Sequence, residues 1–140
     1  MAYKRKSWQE KFESIIQFEV KLTDKKFADI PEGAKMLIAT PKIIEDYIFQ
    51  IPEGTETDLK TIRKDLALQF GAEYTCPVTT GIFLRIVAEK AYESYQNGKH
   101  LHEIAPFWRV IKPKDKILDK LSFGAAFVLK MKAKEDGQIE

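Results

Sequence analysis

Cysteine is almost absent from this chain: Cys76 stands alone in 140 residues. A single thiol forms no internal disulfide and rules out a cysteine-rich zinc site. Histidine is nearly as scarce. His100 and His102 stand two residues apart with no third ligand in pattern, so they read as a surface loop, and neither metal nor other cofactor is expected. Long apolar runs are missing too. No stretch approaches the roughly 18 residues that a spanning helix needs, and the opening Met1-Ala-Tyr-Lys-Arg-Lys-Ser7 lacks the apolar run of a signal peptide. Nor is there a strong excess of one charge: 23 Lys and Arg against 21 Asp and Glu leave a net charge of +2. What is present is 44% hydrophobic and 31% charged residues, enough for one packed domain with a terminal arm. The composition therefore predicts a soluble cytoplasmic domain without a membrane partner.

The small net charge conceals an uneven distribution. Residues 31–108 carry eight basic against eleven acidic side chains, whereas residues 109–120 carry five basic (Arg109, Lys112, Lys114, Lys116, Lys120) against two acidic ones. Lys112, Lys114 and Lys116 alternate, which places them on one side of an extended hairpin. Such a ribbon serves either as a solvated turn or as a contact for phosphate.

Helical periodicity predicts a first amphipathic helix over residues 5–18, with Trp8, Phe12, Ile15 and Ile16 on one face. Met36-Leu-Ile38 reads as a short extended run. Thr40-Pro41 is a strong helix start, with threonine as cap and proline in the first position. Asp58 is a cap for the next helix, and Gly71 stops it. Thr79 is the expected cap of a long helix reaching about Gln96, with Ile82, Phe83 and Ile86 on its core face. Trp108–Ile111 reads as a β-like run, and residues 122–135 as a final helix.

Two successive helices joined by a short connection and followed by a basic ribbon have the order of a winged helix-turn-helix. The predicted class is mainly α with a small β wing, a winged helix-turn-helix-like domain (residues 36–140) behind an N-terminal helical extension (residues 1–35). The second helix would offer its N-terminal end, Thr79-Thr80-Gly81, to a groove of DNA. Lysines and arginines of the ribbon would grip the neighbouring phosphates.

Five segments occur in a recognisable order: Ile51-Pro-Glu-Gly54, Ile62-Arg-Lys-Asp-Leu-Ala67, Cys76-Pro-Val-Thr-Thr-Gly-Ile82, Pro106-Phe-Trp-Arg-Val-Ile111 and Asp136-Gly137. Over residues 36–137 the chain resembles the DNA-binding domain of the methylated-DNA–protein-cysteine methyltransferases and their non-catalytic alkyltransferase-like relatives. In the repair enzymes a Pro-Cys-His-Arg-Val loop carries the cysteine that takes an alkyl group from guanine. Here Phe107 stands in the place of that cysteine and Trp108 in that of the activating histidine. Asp136 falls where the family has the orienting acid. The family's base-rotating tyrosine has no aromatic counterpart in Asp58-Leu59-Lys60.

The resemblance thus implies a protein without catalytic residues that binds double-stranded DNA, alkylated guanine included, and recruits a repair protein. Thr79, Thr80, Arg85, Arg109, Lys112, Lys114 and Lys116 are the expected DNA contacts. Pro106, Phe107, Trp108 and Asp136 mark the former active-site pocket. Two points stay open at this level. Phe107 and Trp108 either fill the core or leave one ring lining a residual pocket; Arg85 either meets phosphate or pairs with Glu89, four residues on. The alternative function is a protein-interaction module on the same scaffold that has lost DNA binding, with the Trp8/Phe12 helix as a partner surface or dimer seam.

Overall fold

Ser7 and Glu10 open the first helix by a reciprocal cap. The Ser7 hydroxyl accepts from the Glu10 N–H and the Glu10 carboxylate accepts from the Ser7 N–H, each at 3.1 Å. The computed structural model describes residues 7–137, so the first two positions of the expected 5–18 helix lie outside the described residues. The helix, α1, covers Trp8–Ser14 and ends sooner than its periodicity suggests. Beyond it the pattern changes from period 3.6 to period two, and Glu19–Leu22 forms a strand, β1.

β1 runs antiparallel to β2 (Lys35–Ile38), with Val20 opposite Leu37. β2 in turn runs parallel to the two-residue β3 (Tyr74–Thr75). The strand order is β1-β2-β3. The fold is therefore mainly helical with one small sheet. The expected boundary after residue 35 falls inside β2, and β1 shares that sheet.

The sheet is not where the basic ribbon was expected, and no strand forms within residues 109–120. Phe107–Arg109 is instead a single 3₁₀ turn, followed by a turn in which the Asp115 carboxylate accepts from the Lys112 N–H at 2.8 Å. Pro113, which cannot donate to a ladder, and this side-chain bond back to the Lys112 N–H favour the turn. A one-turn helix, α5 (Ile117–Lys120), comes next.

The first two cap signals hold. α2 (Pro41–Phe49) starts at Thr40, whose hydroxyl accepts from the Ile43 N–H at 3.2 Å. α3 (Leu59–Gln69) starts at Asp58, whose carboxylate accepts from the Thr61 N–H at 2.8 Å. After α3, Gly71 turns the chain at φ +71°, a conformation that glycine adopts without a Cβ penalty. Thr40 is almost fully buried. Thr40→Ala is therefore expected to lower stability by about 1–2 kcal/mol, measured by urea unfolding.

α4 (Pro77–Gln96) is the central helix, and α1, α2 and α5 pack along it. Its Phe83, Leu84, Val87 and Ala91 meet Ile44 and Ile48 of α2, Ile62 and Leu66 of α3, and Val128 of α6 (Ala126–Glu135) in one buried cluster. Phe12 of α1 and Leu37 of β2 belong to that cluster as well. A smaller cluster (Ile30, Ala34, Met36) encloses Cys76 beneath the hairpin. Among the described residues no helix is long and apolar enough to cross a membrane.

Candidate nucleic-acid interface

The cap of α4 lies three residues before the expected Thr79. Cys76 is the cap residue and offers no side-chain hydrogen bond, while Pro77 occupies the first helical position. Proline is preorganised there and has no N–H to satisfy, so it overrides the later threonines. The shift of frame changes what those threonines do. Thr80 is 1% exposed, and its hydroxyl donates to the Cys76 carbonyl at 2.6 Å. It faces the core and not solvent. Thr79 is half-buried in the first turn.

The first half of α4 forms the floor of an open groove of about 730 Å³. Pro77, Val78, Gly81 and Ile82 line the floor, Trp8 and Lys11 of α1 one wall, and Lys116, Ile117 and Lys120 another. Val78 and Ile82 are 54% and 52% exposed, so Ile82 belongs to this surface and not to the core with Phe83 and Ile86. Gly81 is the one glycine among the described residues without a positive φ, and a Cβ there would meet nothing within 4 Å. Glycine inside a helix costs about 0.5–1 kcal/mol relative to alanine. No internal packing offsets that cost here, and the open position allows a partner to come close to the helix backbone.

Charge around the groove is mainly positive. Arg85 reaches 3.6 Å from the buried carboxylate of Glu89, and its guanidinium lies 5.3 Å from the Trp8 ring centroid. The Glu89 carboxylate also accepts from the Ser122 N–H at 2.8 Å, so the pair ties α4 to the chain after α5. Lys11 stands 4.1 Å over the Trp8 ring. Lys114, Lys116 and Lys120 are exposed. Lys112 lies 3.5 Å from Asp58, whose carboxyl sits below the usual range because the Thr61 N–H and hydroxyl bond to it, with Lys112 adding to the effect.

Two groups of expected residues lie elsewhere. Arg109 does not reach the groove. Its guanidinium donates to Glu135 at 2.7 and 2.9 Å and to the Ile51 carbonyl at 2.6 Å, and the side chain is 13% exposed. It braces α6 against the 3₁₀ turn, so it offers no phosphate contact. Pro106, Phe107 and Trp108 are buried, with Phe107 at 0% and Trp108 at 3% exposure. Their rings are met by Phe123 and Phe127 at centroid distances of 5.9 to 6.0 Å. Both rings are core. Asp136 is an exposed residue at the end of α6. Cys76 is buried in the hairpin cluster, separate from the one holding Phe107. His100 and His102 are exposed, their rings stacked at 5.4 Å.

Sequence reasoning overlooked Trp8, Lys11, Val78, Gly81 and Lys120 as a single surface. One signal was available. Val78 and Ile82 are four residues apart, on a different face from Phe83 and Val87, with a glycine between them. No known protein family, no characterised protein and no solved structure gives a match to this chain.

Proposed function

We propose that this chain is a non-catalytic DNA-binding protein of the alkyltransferase-like kind. The observation that carries this is the open start of α4. It is a 20-residue helix without a side-chain cap, and it shares one groove with Arg85, Lys116, Lys120 and Lys11. The helix dipole and the free N–H groups of the first turn favour an anion. The surrounding cations add a phosphate-binding field, and Gly81 leaves room for close approach. DNA contact falls to Arg85, Lys112, Lys114, Lys116 and Lys120; at the helix end Thr79 contributes its backbone, since its hydroxyl oxygen is buried. A lesion such as an alkylated guanine is the specific ligand, and a repair protein is the recruited partner.

Binding to duplexes with and without one alkylated guanine, each at two salt concentrations, tests this. Salt-sensitive binding is expected, tighter to the alkylated duplex. Replacing Lys112, Lys114 and Lys116 together by glutamine should reduce the slope of log K against log salt by about 2–3. Gly81→Gln should keep or raise stability and still weaken DNA binding, because only the groove is filled. No binding to either duplex at low salt would overturn the proposal. A protein partner is then the second reading, favoured by the exposed Val78 and Ile82 on the groove floor.

A further inference from the structure

The outer edge of the sheet offers a second surface, separate from the groove. β1 is an edge strand. The Thr23 N–H donates to the Ala34 carbonyl at 3.0 Å and the Gly33 N–H to the Thr23 carbonyl at 2.8 Å, so the backbone of Thr23 points toward β2. Backbone direction alternates along an antiparallel pair, so Lys21 and Glu19 share that side. The N–H and C=O groups of Phe18, Val20 and Leu22 therefore point to the open edge.

The side chains alternate as well. Val20 stands opposite Leu37 in the ladder, which puts Phe18, Val20 and Leu22 on the helix-facing side of the sheet. Phe18 packs edge-on against Phe70 at 4.7 Å. Even so, Phe18, Val20 and Leu22 are 46%, 38% and 65% exposed, because the helical layer stops short of the edge strand. Glu19 and Lys21 occupy the other face and have no ion-pair partner among the described residues. Their neighbours on β2 are the apolar Ile38 and Met36. Folded domains usually protect such an edge by keeping the strand short, or with proline, a bulge or charges, lysine above all. β1 is four residues long and carries one glutamate and one lysine, charges that can also pair with each other across a two-fold axis.

The segment Phe18-Glu-Val-Lys-Leu22 is complementary to itself when reversed. Antiparallel pairing of two copies about Val20 sets Val20 against Val20, Phe18 against Leu22, and Glu19 against Lys21 on both sides of the axis. The exposed backbone groups of Phe18, Val20 and Leu22 are the ones that this register pairs. A slip of one residue would send the apolar and charged faces to opposite sides. A slip of two would bring like charges opposite one another, Lys21 on Lys21 or Glu19 on Glu19. We propose that this chain forms a two-fold dimer with a second copy of itself through β1, joining two three-stranded sheets into one. Such an interface is closed and generates no further polymer along β1.

Sedimentation of the full chain over roughly 1–500 μM tests this, with a concentration-dependent monomer–dimer equilibrium expected. Glu19→Lys and Lys21→Glu should each weaken the dimer about tenfold, since each turns two attractive cross-strand pairs into repulsive ones. The double exchange, E19K with K21E, should restore it. Hydrogen exchange on the unaltered chain gives an independent measure: the Val20 and Leu22 amides should become protected as concentration rises. A monomer throughout the range overturns the proposal. So does a dimer indifferent to the single reversals, folded variants that the double exchange fails to rescue, or a dimer whose Val20 amide exchanges freely.

Discussion

Phe107→Ala is expected to lower stability by about 3–5 kcal/mol, among the largest losses available to a single substitution in this chain. Phe107 has no exposed surface and meets Trp108, Phe123 and Phe127 at centroid distances of 5.4 to 6.0 Å. Truncation removes the apolar transfer term and leaves a cavity whose walls are rigid rings. In thermal unfolding the midpoint should fall by roughly 10–20 °C. Phe107→Leu, which conserves most of the volume, should recover more than half of that. If the alanine variant lost less than about 1 kcal/mol, the Phe107 ring would not be part of the packed core.

Arg109→Ala should cost a comparable amount, for an electrostatic reason. Arg109 and Glu135 are 13% and 10% exposed, and removing one member of a buried pair leaves the other charge uncompensated, a loss of about 3–5 kcal/mol. The Ile51 carbonyl also loses its donor. Burial by itself pushes the Glu135 carboxyl up; the Arg109 hydrogen bonds and charge outweigh it and hold the group below its ordinary value of 4.5. A depressed folded-state pKa gives stability that is present above the unfolded value and lost as pH falls through the folded one. In Arg109→Ala the main lowering influence is gone and burial still raises the carboxyl, with only the Trp108 and Gly54 contacts left to lower it, so the variant gains relative to the parent as pH falls from 7 toward 4. Urea unfolding at several pH values should show the gap between the two proteins closing in acid. A gap that stayed constant with pH would mean that Arg109 acts through packing alone.

Much of the helical frame was legible because its signals are local. Thr40-Pro41 starts α2, Asp58 caps α3 and Gly71 ends it, and each works through a bond or a backbone angle within about three residues of itself. β1 was overlooked although Phe18-Glu-Val-Lys-Leu22 alternates. The helical period from Trp8 to Ile16 masked the point at which the pattern changed. Trp108–Ile111 read as a strand because a short apolar run is the same in a strand and in any other buried segment. The alternate lysines read as an extended ribbon as well, whereas the turn that Lys112-Pro-Lys-Asp115 predicts from its own residues does form.

The candidate site divides along the same line. That a long helix would follow Cys76, though with Thr79 as its expected cap, and that positive charge would gather after residue 109, followed from residue chemistry alone. Which threonine faces the core depended on where the helix frame began, a difference of three residues that rotates every side chain. Whether Arg109 served a ligand or the fold depended on Glu135, 26 residues away in sequence. Trp8 and Lys11 join Lys116 and Lys120 at one groove only because α1 and α5 pack on the same helix. Caps, turns and missing groups act over a few bonds and can be read from the chain. Partnership among distant charges and the exposure of a face arise from packing, and the tertiary structure decided them.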